Sequence, residues 1–161
     1  MSTLKVDDKA PEFTLYNTEK QEVSLSGLKG KNVVLLFFPF AFTGTCTKEL
    51  CTVRDDIANY ESANAEVLAI SVDSVHSLKR YKEDQNLNMQ LLSDFNKETS
   101  TAYDSIYQTF SLGYKGVSKR SAFVIDGNGT IQYAEVLENA GDLPNLETVK
   151  QTLARLNSAK A

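Results

Sequence analysis

Apolar positions in this chain fall into short continuous runs separated by amphipathic stretches, the pattern of buried strands alternating with helices. The longest run, Val33 to Phe38, is apolar throughout rather than at every second position. It therefore predicts a strand covered on both faces, and Pro39 ends it. From Thr43 or Gly44 the period changes: Leu50, Val53, Arg54, Ile57 and Tyr60 recur at helical spacing, predicting one helix to about Tyr60. Glu66 to Val72 predicts a second buried strand, and Ser74 an N-cap for a helix to about Asp84 that carries His76, read as a surface residue. Gln90 to Asp94 predicts a short third strand, and a helical piece is expected from about Lys97 to Asp104. Ser105 to Lys119 has aromatics and two glycines but no clean period, so a long loop is expected. Ser121 to Ile125 predicts a fourth strand, and Asp126-Gly127-Asn128-Gly129 a tight turn from which Thr130 to Val136 returns antiparallel. A last helix is expected from about Pro144 to Leu156, with Leu146, Val149, Leu153 and Leu156 on one stripe. Near the N-terminus, Phe13 to Leu15 and Glu22 to Ser24 flank polar residues and predict a small hairpin. The expected class is α/β, a central mixed sheet with helices on both faces and an N-terminal β-hairpin.

Composition narrows the functional classes. At 161 residues, without linker-like tracts or repeats, the chain is expected to form one domain over residues 1–161. A formal net charge of −4 argues against a nucleic-acid binder, which needs a basic face. No run reaches the length of a membrane span, and the opening residues Met1 to Asp8 hold no apolar signal segment. The expected compartment is therefore cytoplasmic and reducing, where a disulfide is transient and catalytic rather than structural. Two cysteines make no disulfide framework, and a single histidine, His76, far from both, argues against a zinc site. The glycines at 27 and 30 lack the spacing of a phosphate loop.

The chemistry lies in the cysteines. Cys46 follows the longest apolar run by eight residues and falls near the start of the predicted helix. Unpaired N–H groups and the positive end of the helix dipole favour a thiolate there, and the thiolate is the nucleophile. The competing reading is a small buried hydrophobe. Cys51 stands five positions on. In a regular helix that spacing separates the Cα atoms by ~8.7 Å, beyond the ~7 Å reach of a disulfide. Pairing the two would require the start of the helix to unwind; otherwise Cys51 is a core residue on the far side of the helix.

Three separated stretches carry a resemblance. Pro39-x-x-x-Thr43-x-x-Cys46 closing a buried strand resembles the active-site motif of the peroxiredoxins. Ala10-Pro11-Glu12-Phe13-Thr14-Leu15 is similar to their N-terminal strand, and Lys119-Arg120-Ser121-Ala122-Phe123-Val124-Ile125-Asp126 resembles the segment supplying their active-site arginine. The phrase Ala41-Phe42-Thr43-Gly44-Thr45-Cys46 and the gap to Cys51 are similar to the bacterioferritin-comigratory-protein and alkyl hydroperoxide reductase E group. The likeness runs from about residue 5 to 157.

The resemblance implies a thioredoxin-like fold and a thiol-dependent peroxidase acting on hydrogen peroxide and organic hydroperoxides, with no metal, haem or flavin. It implies that Cys46 attacks the peroxide and becomes a sulfenic acid. Arg120 would hold the thiolate and polarise the peroxide, Thr43 would hydrogen-bond thiolate or peroxide, Pro39 would shield the sulfur, and Glu49 would steady the arginine. Cys51 would resolve the sulfenic acid as an intramolecular disulfide, reopened by a thioredoxin-like donor or another thiol reductant. Tyr107, Phe110 and Tyr114 are read either as lining the substrate mouth or a dimer face or, equally, as ordinary loop anchors, the protein being a monomer or a homodimer. The segment also departs from thioredoxin itself, which carries a proline before the fourth strand; Ser118-Lys119-Arg120 stands here. The remaining alternatives are a redox sensor and a thiol-disulfide oxidoreductase built on Cys46.

Overall fold

The computed structural model describes residues 4–159, so both ends of the expected domain, 1–3 and 160–161, lie outside the described residues. The predicted N-terminal hairpin is β1 (Thr14–Asn17) and β2 (Glu22–Ser24), turning where Asn17 Oδ1 accepts from the Glu19 and Gln21 amides. The central strand β3 (Asn32–Phe37) is buried at every position, as its unbroken apolar run requires. Next come α1 (Gly44–Asp55), α2 (Ile57–Ser62), β4 (Ala65–Ser71) and α3 (Val75–Gln85). The Ser74 hydroxyl accepts from the Ser77 amide at 3.2 Å, which caps α3 as expected. After β5 (Gln90–Ser93) and α4 (Glu98–Ala102) the chain forms a two-stranded ribbon, β6 (Ile106–Tyr107) with β7 (Val117–Ser118). It closes with β8 (Ser121–Ile125), β9 (Ile131–Val136) and α5 (Leu146–Ala159).

The seven-stranded sheet has the order β2-β1-β5-β4-β3-β8-β9, with β3–β4 and β4–β5 parallel and the other neighbours antiparallel. Alternate residues of the central strands feed two cores. Val34, Leu36 and Phe38 meet α1, α2, α3 and α5 through Leu50, Tyr60, Leu78 and Leu153. Val33, Leu35 and Phe37 meet Ala10, Phe13, Leu25 and Tyr103, so the other face is covered by the N-terminal segment and the end of α4. Helices lie on both faces, but very unequally.

Three elements differ from the expectation. The single helix expected to Tyr60 is broken at Asp56, whose φ of −119° and ψ of 14° end α1; the Lys150 ammonium holds that break with a 2.7 Å bond to Asp56 Oδ2. The expected long loop contains the β6–β7 ribbon, too short for a periodic pattern. The last helix begins at Leu146 rather than Pro144, because Asn145 Oδ1 accepts from the Thr148 amide and acts as the cap.

Candidate active site

The site lies at the C-terminal ends of β3 and β4, where loops leave neighbouring parallel strands and side chains from distant parts of the chain converge. Pro39, buried, turns the chain out of the sheet. The loop at 39–43 is pinned to β4: the Ala41 amide donates to Asp73 Oδ2 at 2.8 Å, and the Ser71 hydroxyl donates to the same oxygen at 2.7 Å. Phe42 follows at φ 67°, the left-handed region that side chains disfavour. Thr43 is then extended and begins α1.

Cys46 is the third residue of α1, 1% exposed, at the floor of a pocket of about 260 Å³. Pro39, Phe40, Thr43, Phe110, Arg120 and Ala140 are among the residues around it. The Thr43 hydroxyl does not cap the helix. It donates to the Phe40 carbonyl at 2.8 Å, leaving its oxygen as an acceptor facing the pocket.

The β3–β8 register, Phe37 opposite Ser121, brings Arg120 to the same end of the sheet as Cys46. Arg120 is 1% exposed and committed through four donor contacts. Nη1 donates to Glu49 Oε1 at 2.7 Å, and Nη2 donates to Cys46 Sγ at 3.2 Å. Nε and Nη2 both donate to the Ala140 carbonyl, at 3.1 and 3.0 Å. Glu49 lies three residues after Cys46 on the same helix face, so one guanidinium reaches both. Burial by itself lowers the Arg120 pKa, but Cys46 and Glu49 against the guanidinium raise it above the ordinary arginine value. Burial pushes the Glu49 carboxyl up to about 7, against the opposing pull of Arg120. Glu49 Oε2 has no hydrogen-bond partner among the described residues.

Cys51 is half-buried on the side of α1 facing α3, and its Sγ donates to Gln85 Oε1 at 3.6 Å. Both thiols are free, and the helix runs unbroken through both, so the ~8.7 Å Cα spacing of a regular helix applies.

Five expected residues thus meet at one point: Pro39, Thr43, Cys46, Glu49 and Arg120. Cys51 is on the same helix but outside the pocket. Of the three expected aromatics, Phe110 lines the pocket. Tyr107 stacks on Phe110 at 4.9 Å between ring centroids and donates to the Glu138 carbonyl, while Tyr114 packs on Phe40 from a neighbouring groove. His76 is exposed on α3. Sequence reasoning passed over Asp73 and Ala140. Asp73 was open to detection as an acidic residue just past a parallel strand end; Ala140 acts through its backbone carbonyl and leaves no mark in the sequence. Among the described residues, no group of three or more His, Cys, Asp or Glu is placed to hold a metal ion, and no helix is long and apolar enough to cross a membrane.

The AhpC/TSA family model matches residues 6–134. Alkyl hydroperoxide reductase E of Mycobacterium bovis is 36% identical over 156 residues, covering 96% of this chain and 99% of that protein. A putative peroxiredoxin bcp of Coxiella burnetii is 40% identical over 131 residues, 80% of this chain and 86% of that protein. Among solved structures, peroxidoxin BcpB from Mycobacterium tuberculosis is similar with a TM-score of 0.84 at 28% identity, covering 95% of this chain and 98% of that one. A peroxiredoxin-like protein from Aquifex aeolicus gives a TM-score of 0.86 at 27% identity, covering 95% and 88%.

Proposed function

The chain belongs to the AhpC/TSA family of peroxiredoxins and is a thiol-dependent peroxidase, and we propose that Cys46 is its peroxidatic cysteine and Cys51 its resolving one. The observation that carries the assignment of Cys46 is the 3.2 Å bond from Arg120 Nη2 to its Sγ at the floor of a pocket open to small molecules. A buried cation fixed by a carbonyl and a carboxylate is oriented before substrate arrives, the condition under which such donors accelerate a reaction most.

In the first step the Cys46 thiolate attacks one oxygen of hydrogen peroxide or an organic hydroperoxide. The S–O bond forms as the O–O bond breaks, and the second oxygen leaves, with a proton, as water or alcohol. Arg120 stabilises the sulfur anion and the negative charge growing on the leaving oxygen. Thr43 has its proton committed to the Phe40 carbonyl, so its oxygen suits the O–H of the peroxide rather than the thiolate. Pro39 closes the wall of the pocket beside the sulfur.

In the second step the Cys51 sulfur attacks the sulfenic sulfur, an S–S bond forms and water leaves. The start of α1 unwinds to allow this, since the helical spacing is too long for a disulfide. A dithiol donor of the thioredoxin class then reopens the bond by exchange and is itself oxidised. A reducing compartment such as the cytoplasm supplies that donor. The whole chain acts as one domain, as a monomer or a homodimer.

Intact mass after one equivalent of peroxide tests the assignment. Wild type is expected to lose two hydrogens, Cys51→Ser to stop at a sulfenic or more oxidised state, and Cys46→Ser to show no fast reaction. A Cys46→Ser protein that consumes peroxide as fast as wild type sinks the assignment.

A further inference from the structure

Tyr81 is fully buried on α3, takes no part in the peroxide pocket, and yet touches the chain on both sides of Cys46. Its hydroxyl shares a 2.9 Å hydrogen bond with Thr47 Oγ1, the residue directly after the cysteine. Its ring packs against Phe42, four residues before the cysteine, with centroids 5.0 Å apart. Phe42 is 53% exposed, so burial does little to hold it, and at φ 67° its backbone is strained. Such a conformation persists only while its surroundings impose it.

One turn further along α3, Gln85 continues the same contact line. Its carboxamide oxygen accepts from Cys51 Sγ, four residues after Thr47, and its carbonyl accepts from Arg54 Nη1 at 2.6 Å. The Asn88 side-chain Nδ2 donates to the Arg54 carbonyl at 3.2 Å. Helix α1 is thus fastened to α3 and the turn after it at successive levels: Thr47 to Tyr81, Cys51 to Gln85, and Arg54 to Gln85 and Asn88. The last can stay intact while Cys46 approaches Cys51. The first cannot, because Thr47 moves with Cys46.

We propose that Tyr81 is a positioning residue for the resolving step: its hydrogen bond to Thr47 and its contact with Phe42 set how often the start of α1 unwinds. Through that frequency it sets whether oxidised Cys46 becomes a disulfide or a sulfinic acid. The inference rests on the resolving role assigned to Cys51. Two routes consume the same sulfenic acid. In one, Cys51 displaces water and forms the disulfide, which requires the unwound state. In the other, a second peroxide transfers an oxygen to the sulfur within the folded pocket, giving the sulfinic acid and water or alcohol. A tighter latch favours the second route.

Tyr81→Phe removes only the hydroxyl and keeps the ring on Phe42. A net hydrogen bond is worth about a fivefold change in an equilibrium constant. With unwinding as a rapid pre-equilibrium, disulfide formation is expected to accelerate about fivefold. The peroxide concentration that over-oxidises half of the protein is expected to rise by about the same factor. The rate of the first peroxide reaction stays at the wild-type value, a separation that general loosening of the fold would not produce. Rapid-quench mass spectrometry of the full-length protein reads all three quantities. Thr47→Val is expected to reproduce the effect, and the double variant to add nothing further. Unchanged disulfide formation and unchanged over-oxidation in both single variants overturn the latch. Absence of any Cys46–Cys51 disulfide in wild type overturns the resolving role of Cys51, and the latch with it.

Discussion

Arg120 donates through three of its nitrogens at once, to a sulfur, a carboxylate and a backbone carbonyl. A lysine keeps the charge but cannot reach three directions from one planar group. Arg120→Lys is therefore expected to slow the first peroxide reaction by about a hundredfold or more, the loss typical of removing one oriented donor; stopped-flow consumption of peroxide measures it. Glu49 carries a different signature. Its folded carboxyl holds a proton up to a pH of about 7, whereas the unfolded reference releases it near 4.5. Between these values the folded chain binds more protons than the unfolded one, so this group's contribution makes stability fall as pH rises. Glu49→Gln is expected to remove that slope from urea denaturation measured across the same range, while lowering stability at high pH, where Arg120 loses its buried counter-charge. An unchanged slope would exclude Glu49 as its source. The convergence of Cys46, Thr43, Pro39 and Arg120 on one pocket was legible in the sequence because motif and strand context agree. The direction of the Thr43 hydroxyl was not legible, since it depends on where one carbonyl, that of Phe40, points after the turn.

Strands and helices were readable where burial imposes a period. The runs at β3, β4 and β8 announced themselves by apolar continuity, and the stripe of α5 by Val149 and Leu153, both buried. The break between α1 and α2 was hidden, because Ile57 and Tyr60 continue the helical spacing past Asp56 and the apolar pattern does not report a kink in the backbone. The β6–β7 ribbon was hidden for a related reason: two residues per strand hold no period, and its aromatics serve the wall around Phe40 rather than the main core. The tie between β4 and the active-site loop belongs to this scale as well. Asp73 joins the strand end to Ala41, so Asp73→Ala leaves a partly buried amide without its acceptor, a destabilisation of about 1–3 kcal/mol. Its larger effect is expected on geometry: the loop that carries Phe40 and Thr43 loses its anchor, and peroxidase activity falls about tenfold or more. Asp73→Asn keeps an acceptor oxygen and is expected to recover much of that activity. Paired urea titrations and peroxide assays separate the two effects, and an Asn variant as impaired as Ala would show that the carboxylate charge, not the acceptor, is what matters.

At the scale of the whole molecule, the proposed catalytic cycle asks one part of the fold to come apart while the rest stays closed. The sheet is suited to staying closed. β3 is paired on both sides, with β4 and with β8, and every residue from Val33 to Phe38 is buried, so its hydrogen bonds open only with the whole core. The first turns of α1 are suited to opening. Their amide bonds begin with Thr47 to the Thr43 carbonyl, and they follow an exposed Phe42 in a strained conformation. Yet Leu50 and Val53, further along the same helix, are fully buried in the core beneath, which opposes unwinding of its second half. The proposed cycle therefore places the division between opening and fixed parts inside one helix, between the two cysteines. Hydrogen exchange on the reduced protein and its disulfide form tests this directly. Amides from 47 to about 51 are expected to lose protection on oxidation, those of β3, β4 and β8 to keep it, and those of 53–55 to change little. Loss of protection spreading into β3 would mean that the disulfide is reached by opening the core. Full protection of 47–51 in an oxidised protein that contains the Cys46–Cys51 bond would contradict the helical spacing on which the resolving step depends.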